Sequence, residues 1–466
     1  MKGLTRDMTS GSTVKHLLLF SLPALIGNVF QQIYNLADSI IVGRGVGPDA
    51  LAAVGASGSI SFLFFALCNG IGSGGGIIAS QYYGAKEDEK VKNCIVNTGL
   101  ILLIVPLLFG TIGYISAPWL LKLLSTPVEI LPEATMYVRY MCLGLLFVSM
   151  YNFIASMLRA LGDSVSPLIF LIVSTIINII LDLLFVYRFG MGIRGAAIAT
   201  VIAQLVSALG SGIYAVLFNS YFKLKKADFK ISANMISKIV KLGVPMSLQF
   251  ALIAISTMAL QRVVNAYGTT VVAAFTTTSR IEQIVHQPYQ TLCASLATFC
   301  GQNYGANKKE RVYDGYKKGM IIMVIISVVM LGVMQFFGRA LTGLFVTDSE
   351  VIELGAMGLK ITSYFYVTLG TIYTIRGVLT GVGDAFFALF NGIIEVIGRL
   401  TVPILLTSLL GMGETGLWLS TGFVWFISGL TAWMRYYVRL GRFNEASKFS
   451  PKAIFARKRL AKQNNV

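Results

Sequence analysis

The sequence SLPALIGNVFQQIYNLADSIIV, residues 21–42, predicts a membrane-spanning helix with polar residues on one face. At about 1.5 Å per residue, a helix of this length crosses about 30 Å of hydrocarbon. Asn28, Gln31, Asn35 and Asp38 follow one another at spacings of three, four and three, which places them on one side of the helix. A stripe that ends in a carboxylate is too costly to face lipid, so we expect it to face partner helices or a watery cavity.

Two interpretations of this stripe are open. One is a hydrogen-bond network between helices, and the other is a cation site beside a pathway for a solute. Pro23 lies near the start of the stretch, where a proline can bend a helix and leave a backbone carbonyl unpaired. We therefore predict a helix bend at this residue.

Composition and charge place the whole chain in a membrane. Hydrophobic residues make up 55% of the 466 residues and charged residues 13%, about half the charged share of a soluble domain. The net charge of +17 would suggest nucleic acid as the partner of a soluble protein. Here Lys and Arg concentrate in alternate loops, as the positive-inside rule describes. This pattern predicts a multi-pass protein of the cell membrane, with both termini in the cytoplasm and no nucleic-acid partner.

The apolar runs predict twelve spans. They lie at about 15–42, 50–82, 93–117, 129–155, 165–188, 193–220, 236–264, 271–301, 312–340, 350–378, 386–408 and 414–440. Moving the second half back by 221 or 222 positions aligns Gln81-Tyr-Tyr-Gly84 with Gln302-Asn-Tyr-Gly305 and other motifs at similar spacing. Because six is an even number, both repeats have the same orientation, and parallel repeats of this kind enclose a central pathway.

We therefore predict an all-α integral membrane protein with two parallel six-helix lobes around a central cavity. The predicted lobes are 1–220 and 235–440, joined by a basic cytoplasmic linker, 221–234, and followed by a basic cytoplasmic tail, 441–466. Two separate histidines and five cysteines without paired spacing form no metal pattern, so we predict no cofactor. We expect a monomer.

Two acids lie inside spans of the first half and have no acidic counterpart in the second. Asp182 follows Asn178 by four positions on the fifth span, and Thr200 lies in the sixth. With Asp38 they supply hard oxygen ligands, which suit an alkali cation or a shared proton. Two carboxylates that lie close together in a low dielectric cannot both stay ionised without a counter-charge. The alternative is two separate aspartates, each paired with backbone or arginine.

The second half carries different charges within its spans. Glu395 and Arg399 lie four apart on the eleventh span, and we expect them to form a structural pair within that helix. Arg280 and Glu282 are two apart and face different directions, and we expect Glu282 to be the functional residue of this half. The candidates for the substrate cavity are Gln31, Tyr34, Asn35, Tyr151, Asn152 and Glu282.

The whole pattern resembles the multidrug and toxic compound extrusion (MATE) family, and within it the DinF-type branch. The residues that carry the resemblance are Ser21, Leu22 and Pro23, Asp38 fifteen positions after the proline, Asn178, Asp182 and Thr200. The resemblance implies export of small organic cations or drugs, driven by inward movement of H⁺ or Na⁺. It also implies a cation site at Asp38, Asn178, Asp182 and Thr200, and bending of the first helix at Pro23. The other main branch has key acids in the seventh and tenth spans, which this chain lacks, and this argues against a second cation site.

We predict a secondary active antiporter that works by alternating access. We favour H⁺ over Na⁺ as the coupling ion because a buried carboxylate pair can hold a proton without further ligands. A second hypothesis is a flippase for lipid-linked oligosaccharides of the same superfamily, against which twelve spans and an acidic first lobe argue. A third is an integral membrane enzyme, for which the chain lacks the HExxH and GxSxG motifs.

Overall fold

The computed structural model describes residues 5–124 and 126–444, except for the side chains of residues 59, 259 and 441–444. Within these residues the chain forms helices, turns and loops, and no β-strand. Most of the predicted basic tail, 441–466, lies outside the described residues.

The first half contains six long helices. They are α1 (Thr13–Gly45), α2 (Pro48–Gly84), α3 (Asp88–Leu123), α4 (Leu131–Ala160), α5 (Val165–Asp182) and α6 (Gly192–Phe218). Helix α5 continues as a π-helical segment, Leu183–Arg188. The starts follow local chemistry: Ser12 accepts a hydrogen bond from the backbone of Lys15 at the start of α1, and Pro48 occupies the first turn of α2.

The second half repeats this order with one helix divided. Its helices are α7 (Ala233–Val264), α8 (Thr269–Gly305), α9 (Lys309–Gly343), α10 (Ser349–Ser363), α11 (Tyr366–Gly381), α12 (Phe386–Ile404) and α13 (Thr415–Asn444). The predicted tenth span is therefore interrupted between α10 and α11. Phe365 lies at the interruption and packs against Gly422, where a Cβ would overlap its ring. The equivalent position in the first half is Gly144, and α4 runs through it unbroken.

The internal repeat is also present in the backbone. Two non-glycine residues among those described have positive φ, Lys86 at 62° and Asn307 at 56°, and they lie 221 positions apart. Gly162 at 87° and Gly383 at 91° form a second pair with the same spacing. Helix α12, like α5, continues as a π-helical segment, Leu405–Leu409.

The protein is a multi-pass membrane protein. Among the described residues, ten helical segments are long and apolar enough to cross a bilayer. The two remaining predicted spans are the divided α10–α11 and the 37-residue α8. Helix α8 is less apolar because it exposes a row of polar side chains, including Arg280, Gln283 and Gln290.

Helix α1 lies across both halves. Leu17 and Phe20, near its start, are buried in the largest apolar cluster of the second half. Ile41 and Val42, near its end, are buried in a cluster of the first half. A change in how the end of α1 packs in the first half can therefore be transmitted along the helix to its start, which packs in the second half.

The two halves meet tightly at one end of the bundle, where the α2–α3 and α8–α9 loops lie, and we call this the closed end. A Cβ on Gly84 would overlap the backbone oxygen of Gln302, and a Cβ on Gly305 would overlap that of Gln81. The Gln81 side chain also donates to the carbonyl of Gly381 at 2.8 Å. The contact is reciprocal, as expected for two repeats related by an axis along the membrane normal.

The chain before α1 reinforces the closed end. Residues 5–12, here called the strap, lie between the two halves and bond to both. The backbone N–H of Met8 donates to Oε1 of Gln302 at 2.9 Å, and Nδ2 of Asn303 donates to the Met8 carbonyl at 3.1 Å. On the other side, the backbone N–H of Arg6 donates to the carbonyl of Leu161 at 3.2 Å. Met8 is fully buried by these contacts.

An ion pair at the surface completes the strap. Asp7 pairs with Lys86 of the first half at 2.7 Å. Partial burial acts to raise the pKa of Asp7, but the hydrogen bonds from Lys86 and Thr9 and the charge of Lys86 outweigh it and lower the pKa to about 2. The carboxylate therefore stays ionised at every physiological pH.

Candidate ion-binding site

The structure brings together the four residues predicted to bind the coupling ion. Asp38 comes from α1, Asn178 and Asp182 from the last turns of α5, and Thr200 from α6. Helix α5 packs against both α1 and α6, which aligns these side chains. Asp38 and Asp182 are 8% and 0% exposed, and Asn178 is 1% exposed.

Neutral groups connect the members of the cluster. With its amide oriented to satisfy both neighbours, Asn178 donates to Oδ2 of Asp182 at 2.9 Å and accepts from the backbone N–H of Thr200 at 3.3 Å. The hydroxyl groups of Tyr34 and Thr200 lie 3.3 Å apart. Tyr34 was predicted to line the substrate cavity, and the structure places it in this cluster.

Each aspartate retains an unpaired oxygen. Oδ1 of Asp38 and Oδ1 of Asp182 are buried and have no hydrogen-bond partner. Neither carboxylate forms an ion pair with a described Lys, Arg or His residue, and the charge of Asp38 acts directly on Asp182. A buried carboxylate without a counter-charge is strongly disfavoured, so the cluster is suited to hold a proton or a monovalent cation.

Sequence reasoning missed one member of the cluster, Tyr137. It lies on α4, is 7% exposed, and is within electrostatic range of Asp38, Tyr34 and Asp182. Its surroundings in the sequence are those of an ordinary buried tyrosine, so no local pattern indicated it. Its position encloses the site on the α4 side.

Helix α1 runs through Pro23 as one continuous helix. The bend that we predicted there stays a prediction. Along the polar stripe, Asn28 and Gln31 are half-buried and Asn35 is exposed. The stripe is therefore only partly covered by neighbouring helices.

Two other predicted cavity residues have partners in the backbone. The hydroxyl of Tyr151 donates to the carbonyl of Pro167 at 3.0 Å. The amide of Asn152 donates to the carbonyl of Val148 at 2.9 Å. Helix packing is sufficient to explain both contacts, and contact with a substrate stays a prediction.

The predicted pair of Glu395 with Arg399 is wrong. Glu395 instead pairs with Arg376 of α11 at 3.5 Å, and Arg376 also donates to Asn391 at 2.7 Å. Gln249 accepts from Nε of Arg376 at 3.0 Å when its amide is oriented to do so. The spacing of four within α12 permitted the first pair, but α11 supplies a nearer cation across the helix interface.

Arg399 lies near Glu282 instead, in a second polar cluster within the second half. The charge of Arg399 acts on both Glu282 and His286. Oε1 of Glu282, Nε2 of His286, the hydroxyl of Tyr366 and Nε of Arg399 are all buried without a hydrogen-bond partner. Glu282 therefore lies among buried polar groups of the second half, and its predicted contact with substrate stays a prediction.

Comparison with known proteins identifies the family. The family model named MatE matches residues 23–184 and 245–403, once in each half. The chain belongs to the MatE family. The two matched regions correspond to the two repeats found in the sequence and in the backbone.

Curated relatives of this MatE protein are named as transport proteins. It is 31% identical over 451 residues to the probable multidrug resistance protein YpnP of Bacillus subtilis (strain 168), which covers 96% of this chain and 99% of that one. It is 26% identical over 409 residues to the multidrug export protein MepA of Staphylococcus aureus (strain NCTC 8325 / PS 47), with coverage of 86% and 88%. Neither relative is named as an enzyme.

Solved structures confirm the fold. A crystal structure of MATE in the straight conformation superimposes with a TM-score of 0.90 at 23% identity, covering 96% of this chain and 100% of that one. A crystal structure of MATE in the bent conformation gives a TM-score of 0.88 at the same identity. It covers 96% of this chain and 99% of that one. The two-lobed helical fold that we predicted is therefore confirmed.

Proposed function

We propose that this MatE protein is a secondary active antiporter that exports amphipathic organic cations from the cell in exchange for H⁺. The observation that carries the proposal is the pair of buried acids, Asp38 and Asp182, each with an unpaired oxygen and no basic partner among the described residues. The names of YpnP and MepA support multidrug compounds as the substrate class.

The closed end supports alternating access as the mechanism. Among the described residues, the hydrogen bonds that join the two halves lie between the closed end and the middle of the bundle. The bond from Ser247 to the carbonyl of Leu67 is the one at the middle. By the positive-inside rule the closed end is cytoplasmic, because the basic α2–α3 and α8–α9 loops lie there. The conformation is then one in which the pathway is shut toward the cytoplasm.

Helix α1 supports a physical route for coupling. Asp38 lies near its far end, against α5, and Leu17 and Phe20 lie at the closed end against the second half. An ion that binds at Asp38 alters the packing of the far part of α1, and the substrate favours the opposite arrangement. Exchange requires only this difference in affinity between the two states.

Proton coupling is favoured by the ligands that the site offers. The neutral oxygens named above are those of Asn178, Thr200, Tyr34 and Tyr137, and the first three already bond within the cluster. A proton needs only one free carboxylate oxygen, and each acid provides one. Exchange of one H⁺ for one monovalent cation moves no net charge, so the pH gradient alone drives it, and each additional H⁺ would gain about 2.3 kcal/mol per 100 mV.

The experiment is dye efflux from proteoliposomes with a pH gradient or a Na⁺ gradient imposed separately. We expect a pH gradient in Na⁺-free buffer to drive efflux, and substrate to bind more tightly at pH 8 than at pH 6 because protonation of the site opposes binding. Asp182→Asn should abolish this efflux, whereas Asp49→Asn, the same change at an exposed helix start of the same half, should leave it intact. Efflux driven by Na⁺ alone, with binding independent of pH, would reject proton coupling.

A further inference from the structure

A basic groove lies on the outside of the first half, at the end of the bundle opposite the closed end. It runs between the end of α3 and the start of α4 and encloses about 600 Å³. Lys122 and Arg139 line it together with Tyr114, Tyr140 and Leu143. None of the residues that line the groove belongs to the ion-binding cluster, and the groove has no part in the proposed transport mechanism.

The cations at this groove lack acidic partners. Arg139 donates to the carbonyl of Tyr114 at 3.3 Å and lies over its ring, 5.1 Å from the centroid. Arg194 donates to the hydroxyl of Tyr140 at 2.9 Å, and Lys122 is exposed. Within the described chain, none of these three forms an ion pair. Three uncompensated positive charges therefore converge where basic residues are otherwise few.

The internal repeat provides a control for this arrangement. A shift of 221 positions places Gly343, Lys360 and Thr415 where the first half has Lys122, Arg139 and Arg194. The groove at the corresponding end of the second half encloses about 410 Å³, and its lining contains Asp348 and no basic residue. The basic groove is therefore not a requirement of the shared fold.

The surroundings of the groove are those of a lipid-facing surface at headgroup depth. Trp119 and Tyr114 are 63% and 40% exposed beside it, as in the aromatic belt at a membrane interface. Leu143 and Ile115 are 59% and 72% exposed toward the bilayer. A soluble anion would need only the cations, whereas this groove joins cations to an apolar wall.

We propose that this groove binds one anionic phospholipid of the adjacent leaflet. Lys122 and Arg139 contact the headgroup phosphate, Tyr114 and Tyr140 hold the groove open at headgroup depth, and an acyl chain lies against Leu143. Basic pockets between transmembrane helices bind anionic headgroups in this manner. The nearby acid Glu133, in the first turn of α4, is not part of the lining and leaves the charge of the groove positive.

The test is native mass spectrometry of the detergent-purified protein with phosphatidylglycerol or phosphatidylcholine. Each basic residue is expected to contribute about five-fold to the affinity for an anionic lipid. The double variant with Lys122→Gln and Arg139→Gln should therefore bind phosphatidylglycerol roughly 30-fold more weakly. Lys360→Gln, at the repeat position of Arg139, should leave it unchanged, and thermal midpoints without lipid should show that all variants are folded.

Three outcomes would overturn the proposal. Equal retention of phosphatidylglycerol by the wild type and the double variant would remove the role of the cations. If the double variant lost phosphatidylcholine binding to the same extent as phosphatidylglycerol binding, the site would not distinguish the charge of the headgroup. Displacement of the lipid by inorganic phosphate at similar concentration would identify a soluble-anion site instead.

Discussion

Substitution of Gly84 by alanine tests whether close contact of α2 with α8 holds the closed end together. The added Cβ would overlap the backbone oxygen of Gln302, which has no rotamer by which to move aside. Overpacking of this kind costs about 1–3 kcal/mol, and here the cost falls on the closed state alone. A difference of that size shifts a two-state population by about 5- to 150-fold.

The population can be read from the distance between two spin labels in nanodiscs. Glu89→Cys and Glu310→Cys, on a background without the native cysteines, place the labels at exposed repeat-related positions on opposite halves of the closed end. The parent should show a single short distance. Gly84→Ala should transfer population to a longer one, as the halves separate.

Gly55→Ala is the matched control, because Gly55 lies on the same helix and a Cβ there meets nothing within 4 Å. It should leave the distances unchanged. The reasoning fails if Gly84→Ala gives the parental distances and an unchanged thermal midpoint, because the contact would then be too loose to define the closed state. Gly305→Ala should behave like Gly84→Ala, and the double variant should add little because either overlap alone separates the same two helices.

Three further predictions concern charged residues. Glu395→Gln leaves Arg376 buried without its carboxylate, so the thermal midpoint should fall by an amount equivalent to about 3–5 kcal/mol, while transport per folded molecule changes little. Asp38→Asn should show the reverse, with efflux lost and the midpoint nearly unchanged. Lys86 holds the pKa of Asp7 at about 2, so the stability from this ion pair is full above about pH 4 and lost only as pH falls toward 2. Asp7→Asn should therefore leave any pH dependence of the label distances between pH 5 and 9 as it is in the parent, and it should cost less than about 1 kcal/mol.

Much of the fold could be predicted from the sequence because its determinants are local. Each span corresponds to a continuous apolar run in the sequence. The repeat is visible in the spacing of motifs such as those around Gly84 and Gly305. The interruption between α10 and α11 was not predicted; Phe365, which lies there, packs against Gly422, far away in the chain. Hydropathy alone contains no such information.

The residues of the candidate site could be predicted from the sequence for a similar reason. A carboxylate within an apolar run is conspicuous, so Asp38 and Asp182 stood out, whereas Tyr137 is polar only at its hydroxyl and did not. The partner of Glu395 depended on the tertiary approach of Arg376, which spacing within one helix cannot show. The strap was not predicted, because residues 5–12 show no periodic pattern of apolar residues and form their hydrogen bonds largely through backbone atoms.

The strap also has a consequence for biosynthesis. Met8 bonds to Gln302, which is 294 positions later in the chain. At about 5–20 residues per second, the ribosome needs roughly 15–60 s to make the intervening segment. The strap thus remains without its partners until α8 has been made and inserted. The closed end is for this reason among the last features of the protein to assemble, and a nascent chain released before Gln302 cannot form it.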